Sequence, residues 1–253
     1  MKDKNQRLLN LETLNKHIIK SWDDNVIIRA SDLEQGTDKS YHNLIMPWVI
    51  EKVKNNTTSQ STIVDIGCGC GYLTNAIYET GRKKIIGVDI SKASINYAQS
   101  KYPNITFQCS DICTLNRMSP QDLCLAVMVL NNMPDIDVFF KRVRELLVDG
   151  GILIIVIPHP CFWPEQHLKN KEYNYSNEKA YEFSFATQGR KDYFSTVLYF
   201  HRMLETYLNC FERNEFVIKE FHEVTENDEK RNPDVLCIEL SLSSSRTKNS
   251  DKL

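Results

Sequence analysis

Between residues 62 and 157, short β-branched or apolar runs alternate with segments whose apolar residues recur every three to four positions, and few folds accommodate that alternation. Residues 62–66 (TIVDI), 84–89 (KIIGVD), 105–109 (ITFQC), 122–129 (DLCLAVMV) and 152–157 (ILIIVI) read as strands. Helical stretches separate them: 72–80, which stops at Gly81; 91–100, capped by Ser91; and a segment capped by Asp135. That last segment puts Ile136, Phe139, Phe140, Val143, Leu146 and Leu147 on one face, and Asp149-Gly150-Gly151 then turns the chain into the fifth strand. Strands alternating with helices of this length imply βαβ units and a parallel sheet. Strands apolar on both faces imply helices on each side of it.

The flanks are different. Leu8, Leu11, Leu14 and Ile18 give residues 7–21 a helical face, and a second helix is expected around 47–53, so residues 1–55 read as a helical cap. Residues 159–207 hold 12 of the 25 aromatic residues of the chain, and alternation in 181–186 and 192–200 suggests a hairpin. We read 161–200 as an aromatic lid inserted into the domain, with about a third of its rings expected to face a ligand pocket. A helix at 204–213 and strands at 216–224 and 235–242 complete a seven-stranded, mostly parallel sheet in one domain, 1–242, before a polar tail at 243–253.

Composition narrows the class. With 253 residues, 42% hydrophobic and 25% charged, the chain is neither disordered nor collagen-like. A net charge of −2 argues against a long phosphate-backbone footprint, so no nucleic-acid partner is expected. No apolar run approaches the roughly 18–20 residues of a membrane span. The N-terminus, MKDKNQRLLN, lacks a secretory h-region, so the eight scattered cysteines read as reduced thiols of a cytoplasmic protein.

The segment Val64-Asp65-Ile66-Gly67-Cys68-Gly69-Cys70-Gly71 follows a strand and opens a helix. Glycines there let backbone approach a ligand, and the helix N-terminus offers free N–H donors. A dinucleotide loop would read G-x-G-x-x-G. Here the spacing is G-x-G-x-G, and Asp65 would repel a pyrophosphate but suits a ligand carrying an ammonium group. Cys68 and Cys70 have no C-x-x-C spacing and no partners to complete a metal site, so no metal is expected.

This segment resembles the first motif of class I S-adenosylmethionine-dependent methyltransferases, and later marks of that family follow in order. Asp89 (GVDIS) stands where the family places an acid on the ribose hydroxyls, and Asp111 (CSDIC) where it contacts adenine. Residues 122–135 resemble the fourth strand and its loop; 145–151 resemble the turn before strand five, with Asp149 replacing the usual proline. The resemblance covers 40–160 well and 200–242 loosely. It implies a Rossmann-like α/β fold and S-adenosylmethionine as cofactor, bound by Tyr41, Asp65, Gly67, Gly69, Gly71, Asp89, Ile90, Asp111, Ile112 and Val127. The stretch from Trp22 to Tyr41 is expected to pack over that cofactor.

Ligands of open α/β sheets bind beyond the carboxyl ends of the strands. Strand five ends at Pro158-His159-Pro160-Cys161-Phe162-Trp163, which aims His159 at that end, and His201 follows the second hairpin strand (YFHRML). Similar H-P-C-F and aromatic-His-Arg elements border the substrate pocket in small-molecule members of the family, so His159 and His201 are candidate catalytic residues. Asn131 and Asn132 end strand four at the same rim. The lid segment balances five basic against five acidic residues, which fits a largely apolar or aromatic small molecule better than RNA. The expected reaction is methyl transfer to an O or N of a small metabolite, with secondary metabolism as one setting for it. The rival readings are an RNA or protein methyltransferase, a non-catalytic S-adenosylmethionine-binding protein and, third, a nicotinamide dehydrogenase. Oligomeric state is left open.

Overall fold

The computed structural model describes residues 2–115, 118–168, 172–184, 194–225 and 232–243, with side chains from residue 12 onward. Helix α1 (Lys2–Glu34) leads through a π-helical turn, Tyr41–Ile45, into α2 (Met46–Asn56). Then come β1 (Ile63–Ile66), α3 (Tyr72–Glu79), β2 (Ile85–Asp89), α4 (Lys92–Lys101), β3 (Thr106–Cys109), β4 (Gln121–Val127), α5 (Ile136–Leu146) and β5 (Leu147–Pro158). A short α6 (Trp163–His167), a hairpin of β6 (Ala180–Phe183) and β7 (Val197–Phe200), α7 (Leu204–Arg213), β8 (Phe216–Val224) and β9 (Val235–Leu242) follow.

Seven strands form one sheet in the order β3-β2-β1-β4-β5-β9-β8, and only β9 runs against its neighbours. The order reverses between β1 and β4, which opens a crevice at their carboxyl ends. Two cores sandwich the sheet. One packs Phe139, Phe140, Phe211 and Phe216 of α5, α7 and β8 beneath it; the other packs Val49, Val53, Leu73 and Ile77 of α2 and α3 above it. Asp135 caps α5 by accepting the N–H groups of Asp137 and Val138, as its sequence position implies.

One expectation changes: the N-terminal helix is not 7–21 but a single 33-residue rod. The expected hairpin forms, as a separate two-stranded sheet whose faces alternate. Leu198 and Phe200 pack on Ile18 of α1, while Tyr181, Phe183 and Tyr199 cluster with Trp163, Leu168 and Tyr173 on the other face. Phe185 and Tyr193 lie outside the described residues, as does most of the tail.

Candidate active site and cofactor cavity

A cavity of about 930 Å³ opens at the crevice, at the upper end of the usual range for ligand sites. Its floor is the loop after β1. Gly67 and Cys68 both donate to the Val88 carbonyl, at 2.7 and 3.1 Å, which folds the loop back toward β2. Gly67 (φ +68°) and Gly69 (φ +53°) adopt the left-handed backbone that favours glycine. A Cβ at Gly69 would meet no atom within 4 Å, so the loop leaves open space for a ligand there.

Asp89 ends β2 at the cavity wall. One carboxylate oxygen accepts the Gly69 N–H and the other the Ser91 N–H, each at 2.8 Å, which fixes the carboxylate plane. Burial raises its pKa, against the lowering effect of those two N–H groups. Ser91 caps α4, and its hydroxyl donates at 2.6 Å to Asp23 of α1, which also accepts the Ala93 N–H. Asp111 follows β3, and its Oδ1 accepts the Cys113 N–H at 2.9 Å. Ile90, Ile112 and Val127 supply apolar wall between these carboxylates and β4.

The opposite wall is α1. Ile18, Trp22, Val26, Arg29 and Leu33, spaced by three or four residues, share the face turned to the cavity, and Tyr41 joins them. Burial holds the Tyr41 phenol well above its usual range. Arg29 is the one cation among the described lining residues, against the carboxylates of Glu12, Asp89, Asp111 and Asp135. Its guanidinium lies over the Tyr41 ring at 5.1 Å and pairs with Asp38 at 2.6 Å.

Eight of the candidate residues therefore meet in this cavity: Tyr41, Gly67, Gly69, Asp89, Ile90, Asp111, Ile112 and Val127. Asp65 and Gly71 do not. Asp65 is 2% exposed, behind the wall, where it accepts the Thr74 hydroxyl at 2.6 Å; burial raises its pKa to about 7. A Cβ on Gly71 would stand 2.8 Å from the Phe107 ring, so that glycine serves helix–strand packing.

His159 and His201, the catalytic candidates, lie away from this cavity. Both are 1% exposed and neither lines the cavity. His159 accepts the Cys161 N–H through Nδ1, so Nε2 carries the proton and donates to Glu223 at 2.9 Å. His201 meets the Tyr175 carbonyl through Nε2 at 2.8 Å, and burial lowers its pKa. None of the described lid rings lines this cavity; Tyr173 and Tyr175 line a second one of about 450 Å³ with Cys161 and Glu165. Asn132 does line it, with its amide donating to the Leu198 carbonyl at 2.6 Å, while the Asn131 amide donates to Asn132.

Two features escaped sequence reasoning. Interleaved charges hid the helical form of the Trp22–Leu33 stretch and which of its side chains face inward. Met128, at the end of β4, lines the cavity with φ +59°, a left-handed conformation with no glycine to announce it.

The methyltransferase-domain family matches residues 57–205. The chain belongs to the class I S-adenosylmethionine-dependent methyltransferases. This methyltransferase is 29% identical over 184 residues to a ubiquinone biosynthesis O-methyltransferase of Coxiella burnetii, covering 68% of the chain and 74% of the relative. It is 30% identical over 105 residues to the N-demethylindolmycin N-methyltransferase of Streptomyces griseus, covering 39% and 44%. Its fold matches the magnesium protoporphyrin IX methyltransferase of Synechocystis PCC 6803, crystallised with S-adenosylhomocysteine, with a TM-score of 0.66, 16% identity and coverage of 91% and 100%.

Proposed function

We propose that the enzyme transfers a methyl group from S-adenosylmethionine to an O or N of a small, largely apolar or aromatic metabolite. The observation that carries this is the composition of the cavity wall. One anchored carboxylate, Asp89, stands at a glycine loop, one cation stands at the far side of that loop, and most of the remaining wall is apolar.

The chain's residues fit the cofactor's parts. Asp89 has its carboxylate plane fixed and lone pairs left to accept a pair of ribose hydroxyls, which is worth about 1.5–3 kcal/mol, or roughly 10- to 100-fold in affinity. Asp111 keeps one oxygen for the adenine amino group, and Ile90 and Ile112 offer apolar faces to the base. Arg29, beside Tyr41 and the glycine loop, suits the amino-acid carboxylate. When bound, S-adenosylmethionine supplies an electrophilic methyl group, and the excess of wall carboxylates complements its positive sulfur. Asp65, behind the wall, acts on the loop's packing and not on the ligand.

Trp22, Met128 and Val129 then face the acceptor, and α1 excludes water from it. The acidic rim disfavours a polyanion such as RNA. The two relatives act on small molecules, one at oxygen and one at nitrogen by their names, and the second is consistent with a role in secondary metabolism. Eight free cysteines support a reducing, cytoplasmic setting.

Titration calorimetry with S-adenosylhomocysteine, beside NAD and an Asp89→Ala control, tests the reading. Binding lost in the variant and absent for NAD supports it, and a labelled methyl donor then screens apolar acceptors. Failure to bind S-adenosylhomocysteine, or binding unchanged in the variant, sinks it.

A further inference from the structure

The sheet ends in two edges, β3 and β8. β3 has four residues and β8 nine. On β8 none of the seven consecutive residues 217–223 is buried. Val217 is 50% exposed, Ile218 41% and Phe221 38%, three of the six exposed large hydrophobic residues among those described. The pairing with β9 sorts them. Ile218 and Phe221 stand opposite Leu240 and Ile238 on the α5–α7 side, and Val217 stands on the α2 side. On the α2 side Trp48 stacks on His222 with ring centroids 6.4 Å apart, Ile218 and Phe221 on the other side stay exposed, and the outer edge carries no neighbouring strand among the described residues.

A free edge with apolar residues invites another strand, and charges usually guard against it. Here the acidic residues bond within the chain yet stay accessible, with the Glu220 side chain 38% and the Glu223 side chain 51% exposed. Glu220 pairs with Lys52 and accepts the Trp48 indole N–H at 3.2 Å; Glu223 meets His159. Lys219 makes no ion pair with the described residues.

Symmetry selects a register. Antiparallel pairing of a strand with its own copy about a two-fold axis places one residue opposite itself. Centring on Lys219 or Glu220 sets like charges face to face, which is unfavourable. Centring on His222 sets two imidazoles together and Phe221 against Glu223. Centring on Phe221 stacks the two rings, places Lys219 opposite Glu223 twice and places Glu220 opposite His222 twice. Such an axis keeps each face on its own side, so Ile218 and Phe221 of both copies form one apolar patch.

We propose that β8 is a homodimer interface, joining two copies through antiparallel β8 strands centred on Phe221. The register shift against β9 between Ile218 and Glu220 bounds the regular ladder, so the side chains flanking the axis set the strength of the pairing.

Light scattering on the full chain eluting from a sizing column, with no ligand added, is expected to give twice the monomer mass. Lys219→Glu faces acid with acid and should raise the dissociation constant about tenfold or more. Adding Glu223→Lys to it should restore the dimer, a rescue that unfolding would not mimic. Because Glu223 also meets His159, the melting of each variant is followed by circular dichroism. Phe221→Lys, on an exposed position away from His159, serves as the second disrupting variant. A wild-type monomer at every concentration overturns the interface. So does a dimer that survives both Lys219→Glu and Phe221→Lys.

Discussion

Val129 occupies the space that a side chain on Gly67 would need. A Cβ at Gly67 would lie 2.4 Å from Val129 Cγ2, so the loop after β4 rests directly on the glycine loop after β1. Gly67→Ala combines that clash with a left-handed backbone at φ +68°. The expected cost is about 2–4 kcal/mol of stability, with weaker S-adenosylhomocysteine binding. Val129→Ala in the same chain should recover the packing part and leave the backbone part. Urea unfolding of the two variants separates these contributions.

Arg29 offers a discriminating pair of ligands. If its guanidinium receives the amino-acid carboxylate, Arg29→Gln lowers affinity for S-adenosylhomocysteine about tenfold or more. Affinity for 5′-methylthioadenosine, which lacks that end, stays level. Calorimetry with both ligands decides it, and an equal loss for the two would remove the role.

His159 is expected to matter for stability and not for cofactor binding. His159→Ala strands the Cys161 N–H and leaves a buried hole, a loss of about 2–4 kcal/mol. S-adenosylhomocysteine affinity should change by less than about twofold, well under 1 kcal/mol. A normal melting temperature with lost binding would return His159 to the cavity.

Asp65 predicts a pH dependence with a definite sign. Its folded pKa, near 7, lies above the usual carboxylate value near 3.9. Between those values the folded chain holds a proton that the unfolded chain has released. Stability from this group is therefore full below about pH 4, declines as pH rises toward 7 and is flat above it. Asp65→Asn, which keeps an acceptor for the Thr74 hydroxyl, should flatten that decline. Thermal melts of both proteins from pH 4 to 8 check it, and parallel curves would refute the assignment.

The alternation from residue 62 to 157 was legible because β1, β4 and most of β5 are buried on both faces and each helix carries a cap or a terminating glycine. Strand and helix limits agree with expectation to within a few residues at α3, α4, α5 and α7, and β5 begins earlier, at Leu147. The full length of the first helix was not legible because its inner face is shared between the core, at Val26, Ala30 and Leu33, and the cavity wall, at Trp22 and Arg29. Arg29 interrupts the apolar stripe of Ile18, Trp22, Val26 and Leu33. The anchored carboxylates could be read because they close strands next to glycine or serine. The fate of His159 could not, since Glu223 lies 64 residues away on a strand whose pairing no local pattern announces. Met128 gave no signal because its backbone conformation is imposed by its surroundings.

The tether from Asp23 to Ser91, together with the bonds between Asn25 and Ser195, makes α1 a strut between the sheet and the hairpin. The donor half of the cavity is built from strand-end loops within 57–205, whereas the strut that faces it lies wholly before residue 57. The two halves can therefore diverge separately. Exchanges at Trp22, about two turns away from Arg29 on the same face, would reshape the cavity wall while leaving Arg29 and the strand-end loops in place.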